Sequence, residues 1–256
     1  MRKVRKDRSA QALVLTALLI ALIILSTKVY VLEVNRVQTG EDLLSPEAFT
    51  RNVRLGSRSL VIGVLVNASH GGNQTLEPNI ERWVSFAKER YYHGECSLSF
   101  NLEEAAPYSS GLWISWGEDG FGVSSAAVDF SLTLTGEGVE IDVVYSINVT
   151  TSLSVSAVSR WWAGTHMINV TIHLYNEGEP ALAKNITVYY ETEDGWMDAS
   201  LLESYQLEDF GNGTYVASFS VGPPRMFNRG IMVGCRDQRD IYVQANTTCT
   251  DLEWLG

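Results

Sequence analysis

Residues 10–27 read AQALVLTALLIALIILST, a run of 18 residues without a charged side chain. A helix of that length rises about 27 Å, close to the hydrocarbon thickness of a bilayer. A helix on the core of a water-soluble domain has a polar face, and this run has none. Together with the apolar residues that follow, the pattern predicts a transmembrane helix over residues 10–34.

Basic residues ahead of this run set the predicted orientation. Residues 1–9 contain five Lys or Arg and one Asp, and are predicted to form a short cytoplasmic leader. Cytoplasmic flanks of membrane helices are enriched in Lys and Arg. We therefore expect a single-pass protein of the cell membrane, with the N-terminus in the cytoplasm, the bulk of the chain extracellular, and the lipid bilayer as a partner.

Two other interpretations of this segment stay open. A cleaved secretory signal needs small residues just past the apolar run, and Ser26-Thr27-Lys28-Val29-Tyr30 is a poor match. The basic leader followed by Ser9-Ala10-Gln11-Ala12-Leu13 resembles the prepilin segments of archaeal type IV pilus-like proteins. That resemblance implies cleavage on the cytoplasmic side and packing into a filament core.

The charge of the outer part excludes one class of partner. Beyond residue 34 the chain holds 13 basic and 28 acidic residues, a formal net charge of −15. Such a surface repels phosphate backbones, so no nucleic acid partner is expected.

Seven N-glycosylation sequons lie beyond the predicted anchor. With 13 Asn and 41 Ser or Thr in 256 residues, chance predicts about two. In residues 168–174 the Asn shares a strand face with Thr171 and His173, opposite four aliphatic side chains, so it is expected to face water. The candidate glycosylated residues are Asn67, Asn73, Asn148, Asn169, Asn185, Asn212 and Asn246.

Three cysteines are too few for a disulfide scaffold, and none belongs to a C-x-x-C pair. Outside the cell one bridge is feasible, and we predict Cys235 to Cys249 because both fall in one predicted domain. Cys96 is then left unbridged.

Two helices are predicted at the start of the outer part. Ser45-Pro46 supplies a cap and a favourable first residue for a helix over residues 46–68. Residues 60–66 are also a continuous apolar run that suits a buried strand, so their type stays open. A second helix is predicted over residues 78–92 and is ended by Gly94.

From Cys96 the hydrophobic period changes to two. Strands are predicted over residues 97–102, 112–116, 122–135 and 139–157. Two helices followed by an antiparallel meander predict an α+β domain over residues 45–160, with the helices on one sheet face. The order of elements is similar to that of pilin-like ectodomains.

Residues 160–164, RWWAG, are predicted to be the seam before a second domain. Beyond them six short strands recur with turn signals between them, which predicts an all-β sandwich over residues 165–256. Residues 209–219, DFGNGTYVASF, resemble the turn and strand element of filamin-like and bacterial Ig-like surface domains. The resemblance implies an Ig-like fold in which the turn delivers Tyr215 into a late strand.

Motifs for catalysis and metal binding are missing from the sequence. It contains no G-x-S-x-G, H-E-x-x-H, P-loop or dinucleotide fingerprint. His93 and Cys96 are half of a metal-ligand pattern without a second half. The acidic turns at Glu118-Asp119, Glu193-Asp194 and Glu208-Asp209 each supply too few oxygens for calcium. We therefore expect no metal and no cofactor.

Four aromatic residues surround two glycine-containing turns and suggest either a carbohydrate platform or sheet core. They are Tyr108, Trp113, Trp116 and Phe121. Since Trp113 and Trp116 are an odd number of residues apart, they face opposite sides of a strand, which favours core.

These patterns together favour a non-enzymatic, membrane-anchored and glycosylated surface protein with a structural or adhesive role. It acts alone, or as a pilin-like subunit that associates with itself or with other surface proteins. The alternative is an ectoenzyme or a ligand-binding ectodomain whose site is not visible in the sequence.

Overall fold

The structure is a computed structural model that describes residues 45–251, except Glu118, Glu137, Ala163 and residues 223–228. The predicted leader and transmembrane helix lie outside this range. Among the residues described, no helix is both long and apolar enough to cross a membrane. The chain divides into two compact units, Met1–Asn52 and Val53–Gly256.

Two helices begin the described part of the chain, as predicted. They are α1, Pro46–Ser69, and α2, Leu76–Arg90. Ser45 caps α1, since its Oγ accepts a hydrogen bond from the Ala48 N–H at 3.2 Å. The ambiguous run 60–66 lies within α1, because Val61, Val64 and Leu65 share the buried face of that helix.

Strands make up most of the remaining described residues. All their pairings are antiparallel except that of the last strand with the fourth. The strands are β1 Glu95–Leu102, β2 Leu112–Trp116, β3 Phe121–Gly136, β4 Val139–Trp162, β5 Thr165–Asn176, β6 Glu179–Pro180, β7 Ala183–Thr192, β8 Gly195–Asp198, β9 Gln206–Asp209, β10 Thr214–Val221, β11 Gly230–Asp237, β12 Tyr242–Thr248 and β13 Thr250–Asp251. A 3-10 turn, Ala199–Leu201, follows β8.

The larger sheet is organised around β4. Its main order is β1-β3-β4-β5-β10-β9, with β2 on β3, β6 on β5 and β13 on β4. β4 pairs with β3 over residues 139–154 and with β5 over residues 151–162. Trp161 and Trp162, predicted to lie in an interdomain linker, are instead the last residues of β4 and pair with His166 and Thr165. The two predicted domains therefore share one sheet.

The helices cover one face of this sheet where β3 and the first half of β4 run side by side. Ser57 joins three elements: the Trp83 Nε1–H of α2 donates to its Oγ at 2.9 Å, and Tyr145 Oη of β4 lies 3.1 Å from the same oxygen. Phe130 stacks on Tyr145 beneath the helices. The opposite face is open and carries exposed polar residues such as Asn148.

Replacing Ser57 with Ala is expected to lower the free energy of unfolding by about 1–3 kcal/mol. The change leaves the Trp83 N–H and the Tyr145 hydroxyl without a shared partner in a site where Ser57 itself is fully buried. Urea unfolding followed by circular dichroism measures the loss. Ser59→Ala, an exposed change on the same helix, is the control and should leave the midpoint within experimental error. Equal midpoints for the two variants would contradict the role given to Ser57.

The smaller sheet has the order β12-β11-β7-β8 and faces the second half of β4, β5 and β10. One apolar core lies between the two sheets, and Leu153, Ile172, Phe219, Val188 and Val233 are among its buried members. In β10, buried and partly buried residues alternate with the period of two that the sequence predicts. The observed architecture is thus mostly antiparallel sheet with two helices.

The glycine-rich turn before β10 delivers Tyr215 into that strand, as predicted. Gly211 and Gly213 adopt left-handed φ angles of 70° and 80°, and the Gly211 N–H donates to Asp209 Oδ1 at 2.8 Å. Tyr215 is buried, and its hydroxyl accepts a hydrogen bond from the Ala183 N–H at 2.8 Å. The turn thereby ties β10 to the start of β7 in the other sheet.

Candidate functional sites

The seven sequon asparagines are spread over both sheets, the loops and helix α1, which contains Asn67. Asn148 and Asn169 lie on the open face of the larger sheet, where strand alternation predicted them. Five are exposed and two, Asn67 and Asn246, are partly buried. The exposed ones are Asn73, Asn148, Asn169, Asn185 and Asn212.

Neighbouring hydroxyls hold two of these side chains by the amide oxygen. Thr150 Oγ1 donates to Asn148 Oδ1 at 3.1 Å, and Ser218 Oγ donates to Asn169 Oδ1 at 2.8 Å. Neither bond uses Nδ2, the atom that carries an N-linked glycan. Both amides are therefore held by their oxygen atoms, and Nδ2 takes no part in these two hydrogen bonds.

The predicted Cys235–Cys249 disulfide is not present. Cys235 lies opposite Val243, whereas the Cys249 N–H donates to the carbonyl of Arg229, which immediately precedes β11 and lies six residues before Cys235. Six residues of strand span about 20 Å, and a bridge needs Cα atoms within about 7 Å. Both side chains instead belong to the core between the sheets. Cys96 is partly buried in β1, where burial raises the pKa of its thiol and the nearby Lys88 opposes that shift.

The histidines and acidic turns remain apart from one another. His166 is buried and packs edge-on against Trp161 at 4.6 Å between ring centres, while His173 lies on the opposite face with Nδ1 3.1 Å from Thr214 Oγ1. Within residues 45–251, as far as they are described, no three His, Cys, Asp or Glu side chains converge as a metal site. His93 and Cys96 are both only partly buried.

The four aromatic residues do not form one platform. Trp113 packs edge-on against Tyr108 at 6.0 Å between ring centres, and Trp116 packs edge-on against Tyr242 of β12 at 5.5 Å. The two Trp side chains therefore serve different contacts on opposite faces of β2, as their spacing predicted. Phe121 is half exposed at the start of β3.

A buried ion pair at the β11–β12 turn was not predicted. Asp237 is fully buried, and its Oδ2 accepts from Arg239 Nε at 2.7 Å and from Thr151 Oγ1 at 3.0 Å. Its Oδ1 accepts from the backbone N–H groups of Arg239 and Ile241 at 2.8 and 2.9 Å. Arg239 continues the network to Glu177 Oε1 at 2.6 Å.

This network fastens the β11–β12 turn to the middle of β4. Burial lowers the pKa of Arg239, but its hydrogen bonds to Glu177 and Asp237 outweigh that effect and keep the pKa above its usual value. Both Asp237 oxygens already accept two hydrogen bonds each, so the arrangement holds a turn in place and offers no acceptor to a ligand. The alternation of basic and acidic residues in the run RDQRD, residues 236–240, is the one local signal in the sequence for this ion pair.

A groove of about 480 Å³ runs between α2 and the edge strand β1. It contains one carboxylate, Glu81, and no histidine. The other lining residues are Val84, Ser85, Leu98, Ser99 and Phe100.

Alkaline conditions are expected to destabilise the fold. Burial raises the pKa of Tyr145, and the hydrogen bond from Ser57 and the Arg54 guanidinium only partly oppose it. A pKa raised in the folded state gives stability that is present below pH about 10 and is lost as the pH rises through the folded value. Urea midpoints at pH 8 and pH 10.5 should therefore differ less in Tyr145→Phe than in the unmodified chain. The control Tyr92→Phe, at an exposed residue, should show the same change in midpoint between the two pH values as the unmodified chain. If Tyr145→Phe showed that same change, Tyr145 would not be the source of the alkaline destabilisation.

No protein-family model matches the chain, and no curated protein matches it. Function is therefore argued from the geometry and the sequence.

Proposed function

We propose that this chain is a membrane-anchored, glycosylated cell-surface protein with a structural or adhesive role. Residues 10–34 anchor it, and the two sheets and two helices lie outside the cell. The observation that carries the proposal is the exposure of five sequon asparagines, on both sheets and in the loops. An N-linked glycan must project into water, and chance would supply about two sequons in such a chain.

The strand order supports an Ig-like sandwich as the second half of the outer part. In an Ig constant-type domain one sheet has the order A-B-E-D and the other contains G-F-C. If the second half of β4 is taken as strand A, the observed order β4-β5-β10-β9 corresponds to A-B-E-D. The order β12-β11-β7 then corresponds to G-F-C, and β8 adds one strand beyond C. The first half of β4, with β1, β3 and the helices, then forms an α+β layer joined to the sandwich through one strand.

A pilin-like subunit is the second form of this proposal. It is favoured by the prepilin-like segment, residues 9–13, and by helices that precede the sheet. Sequencing the mature N-terminus separates the two forms. A chain that starts near Ala10 or Gln11 indicates prepilin-type processing, whereas an intact basic leader indicates a simple anchor.

Glycopeptide mass spectrometry of the protein purified from its native cells tests the glycosylation. We expect glycan mass on Asn148 and Asn169, whose Nδ2 atoms lie on the open sheet face, and on the exposed loop residues Asn73 and Asn212. The controls are Asn246 and Asn67. Both are partly buried and should show the lowest glycan occupancy of the seven sites. Unmodified peptides at all seven sequons would contradict the proposal.

A further inference from the structure

Two exposed regions of opposite charge stand out in the unit Val53–Gly256. The first, the helix patch, lies on α1 and α2. Leu55 is 58% exposed and Phe86 is 46% exposed, with the Arg90 guanidinium 5.1 Å from the centre of the Phe86 ring. Residues 53–90 carry five basic and three acidic side chains, in a chain whose outer part is strongly acidic. The helix patch consists of Arg54, Leu55, Arg58, Arg82, Phe86, Lys88 and Arg90.

The basic residues of the helix patch are not used by ion pairs inside the fold. In the part of the chain that the structure describes, the ion pairs are those of Lys184 and Arg239 with their carboxylates. Since Glu77, Glu81 and Glu89 are also exposed on α2, residues 53–90 carry a formal net charge of +2, and this modest positive charge lies beside exposed apolar surface.

The second region, the edge patch, lies at the lateral edge of the two facing sheets. β8 ends the order of the smaller sheet and β9 ends that of the larger one, so each has an unpaired outer edge. Residues 191–210 carry seven acidic and no basic side chains. Leu201 is 76% exposed, the largest exposed fraction among the apolar side chains of the edge patch. The edge patch consists of Trp196, Met197, Leu201, Glu203, Leu207 and Glu208.

Exposed strand edges and clustered apolar side chains are features that monomeric proteins usually avoid. Natural edges are protected by short strands, charged side chains, prolines, bulges or a covering element. β8 and β9 are four-residue strands that carry acidic side chains and no Lys or Pro. Their protection therefore depends on negative charge, which a positively charged partner would neutralise while it covers the exposed apolar side chains.

The two patches of one chain cannot meet. In the larger sheet α2 lies against β1, and five strand spacings separate β1 from β9. At about 4.8 Å per spacing that is roughly 24 Å. Contact between the patches therefore requires two copies.

We propose that the helix patch of one copy docks on the edge patch of the next copy. The positive and negative charges are complementary, and each patch offers exposed apolar side chains to the other. Such a contact is head-to-tail, so it generates a ring or an open filament rather than a closed dimer. The inference rests on the proposed surface role and names a second copy as the partner.

Charge reversal with the full chain in detergent micelles tests the contact by sedimentation velocity. The helix variant is Arg82→Glu with Arg90→Glu, and the edge variant is Glu203→Lys with Glu208→Lys. The unmodified chain should form species larger than dimers at low salt and dissociate at 0.5 M salt, because surface charges are screened. Each variant alone should associate at least tenfold more weakly. A 1:1 mixture of the two should associate again, because the reversed charges are complementary to each other.

A matched control places the same charge change elsewhere. Asp129→Lys with Glu140→Lys alters two exposed residues on the larger sheet, outside both patches, and should assemble like the unmodified chain. An unmodified chain that stays monomeric, a helix variant that assembles normally, or a mixture that does not recover would each overturn the proposal.

Cysteine cross-linking keeps the proposal testable if a charge variant does not fold. Phe86→Cys and Leu201→Cys chains, mixed and oxidised, should give a disulfide-linked pair. Val144→Cys, at a residue 77% exposed outside both patches, should give none with Leu201→Cys. Equal cross-linking of the two pairs overturns the contact.

A monomeric chain that is still glycosylated at the cell surface refutes the contact alone, whereas a chain found inside the cell refutes the proposed function whatever its assembly.

Discussion

Asp237→Ala is expected to lower the free energy of unfolding by about 3–5 kcal/mol, the largest loss from any single side chain of the network. The variant leaves the Arg239 guanidinium with Glu177 as its remaining carboxylate and removes the acceptor of two backbone N–H groups in the turn. Thr151 loses a partner in the middle of β4 at the same time. Breaking one side of a buried pair costs more than the pair contributes, because the partner groups lose an acceptor in a site shielded from water.

Urea unfolding at pH 7 measures this loss, and Asp240→Asn in the same turn is the matched control, because Asn tolerates the left-handed φ of 67° at this residue. Asp240 is exposed and pairs with the exposed Lys184 at 2.7 Å. Exposed pairs contribute little, so this variant should unfold at nearly the midpoint of the unmodified chain. If both variants shifted the midpoint equally, the turn would not depend on the buried pair.

Gly122→Ala is expected to destabilise the chain by about 3 kcal/mol, at the upper end of the range for overpacking. A Cβ at this position would lie far inside contact distance of the Gln244 carbonyl oxygen, a backbone atom of β12. The clash cannot be relieved by turning a side chain. The clash would push β3 away from β12. Ser124 of β3 also contacts β12, since its Oγ donates a hydrogen bond to the Tyr242 carbonyl at 2.6 Å.

Gly63→Ala is the control for this substitution and should change stability in the opposite direction. Gly63 is exposed in α1, and a Cβ there meets no atom within 4 Å. Since Ala favours the helix over Gly, a gain of up to about 1 kcal/mol is expected. Thermal unfolding of both variants reads out the difference. Equal behaviour of the two glycine variants would rule out a specific close approach at Gly122.

Local structure could be predicted from the sequence because its signals lie close together along the chain. Ser45-Pro46 marks the start of α1, and the glycine-rich turn marks the start of β10. The short strands β6, β8 and β13 were missed because runs of two to four residues show no clear period. Trp161 and Trp162 were assigned to a linker because a bulky pair before Gly164 looks like a boundary. In the structure they continue β4, whose pairing with β5 reaches the end of the strand.

Contacts between distant residues could not be predicted in the same way. The Cys235–Cys249 pairing assumed that two residues of one domain lie near each other, whereas the register of β11 and β12 places them far apart. The ion pair of Asp237 depends on Thr151, 86 residues earlier, reaching the same turn. No local period encodes such a meeting, since it follows from how the two sheets pack.

The path of β4 explains how one strand serves two halves of the structure. Its first half pairs with β3 beneath the helices, and its second half pairs with β5 in the facing sheets. Thr150 and Thr151, at the changeover, receive the Arg239 guanidinium at 3.2 and 2.9 Å. The buried polar network of Asp237 and Arg239 therefore lies where the two halves join.

Protease treatment of intact native cells tests the central proposal most directly. If the chain is anchored by residues 10–34 with the rest outside, a protease added to whole cells should release fragments from the part after residue 45. A cytoplasmic protein in the same sample should stay intact as a control. The proposal predicts these fragments without lysis. Fragments that appear only after the cells are lysed would contradict it.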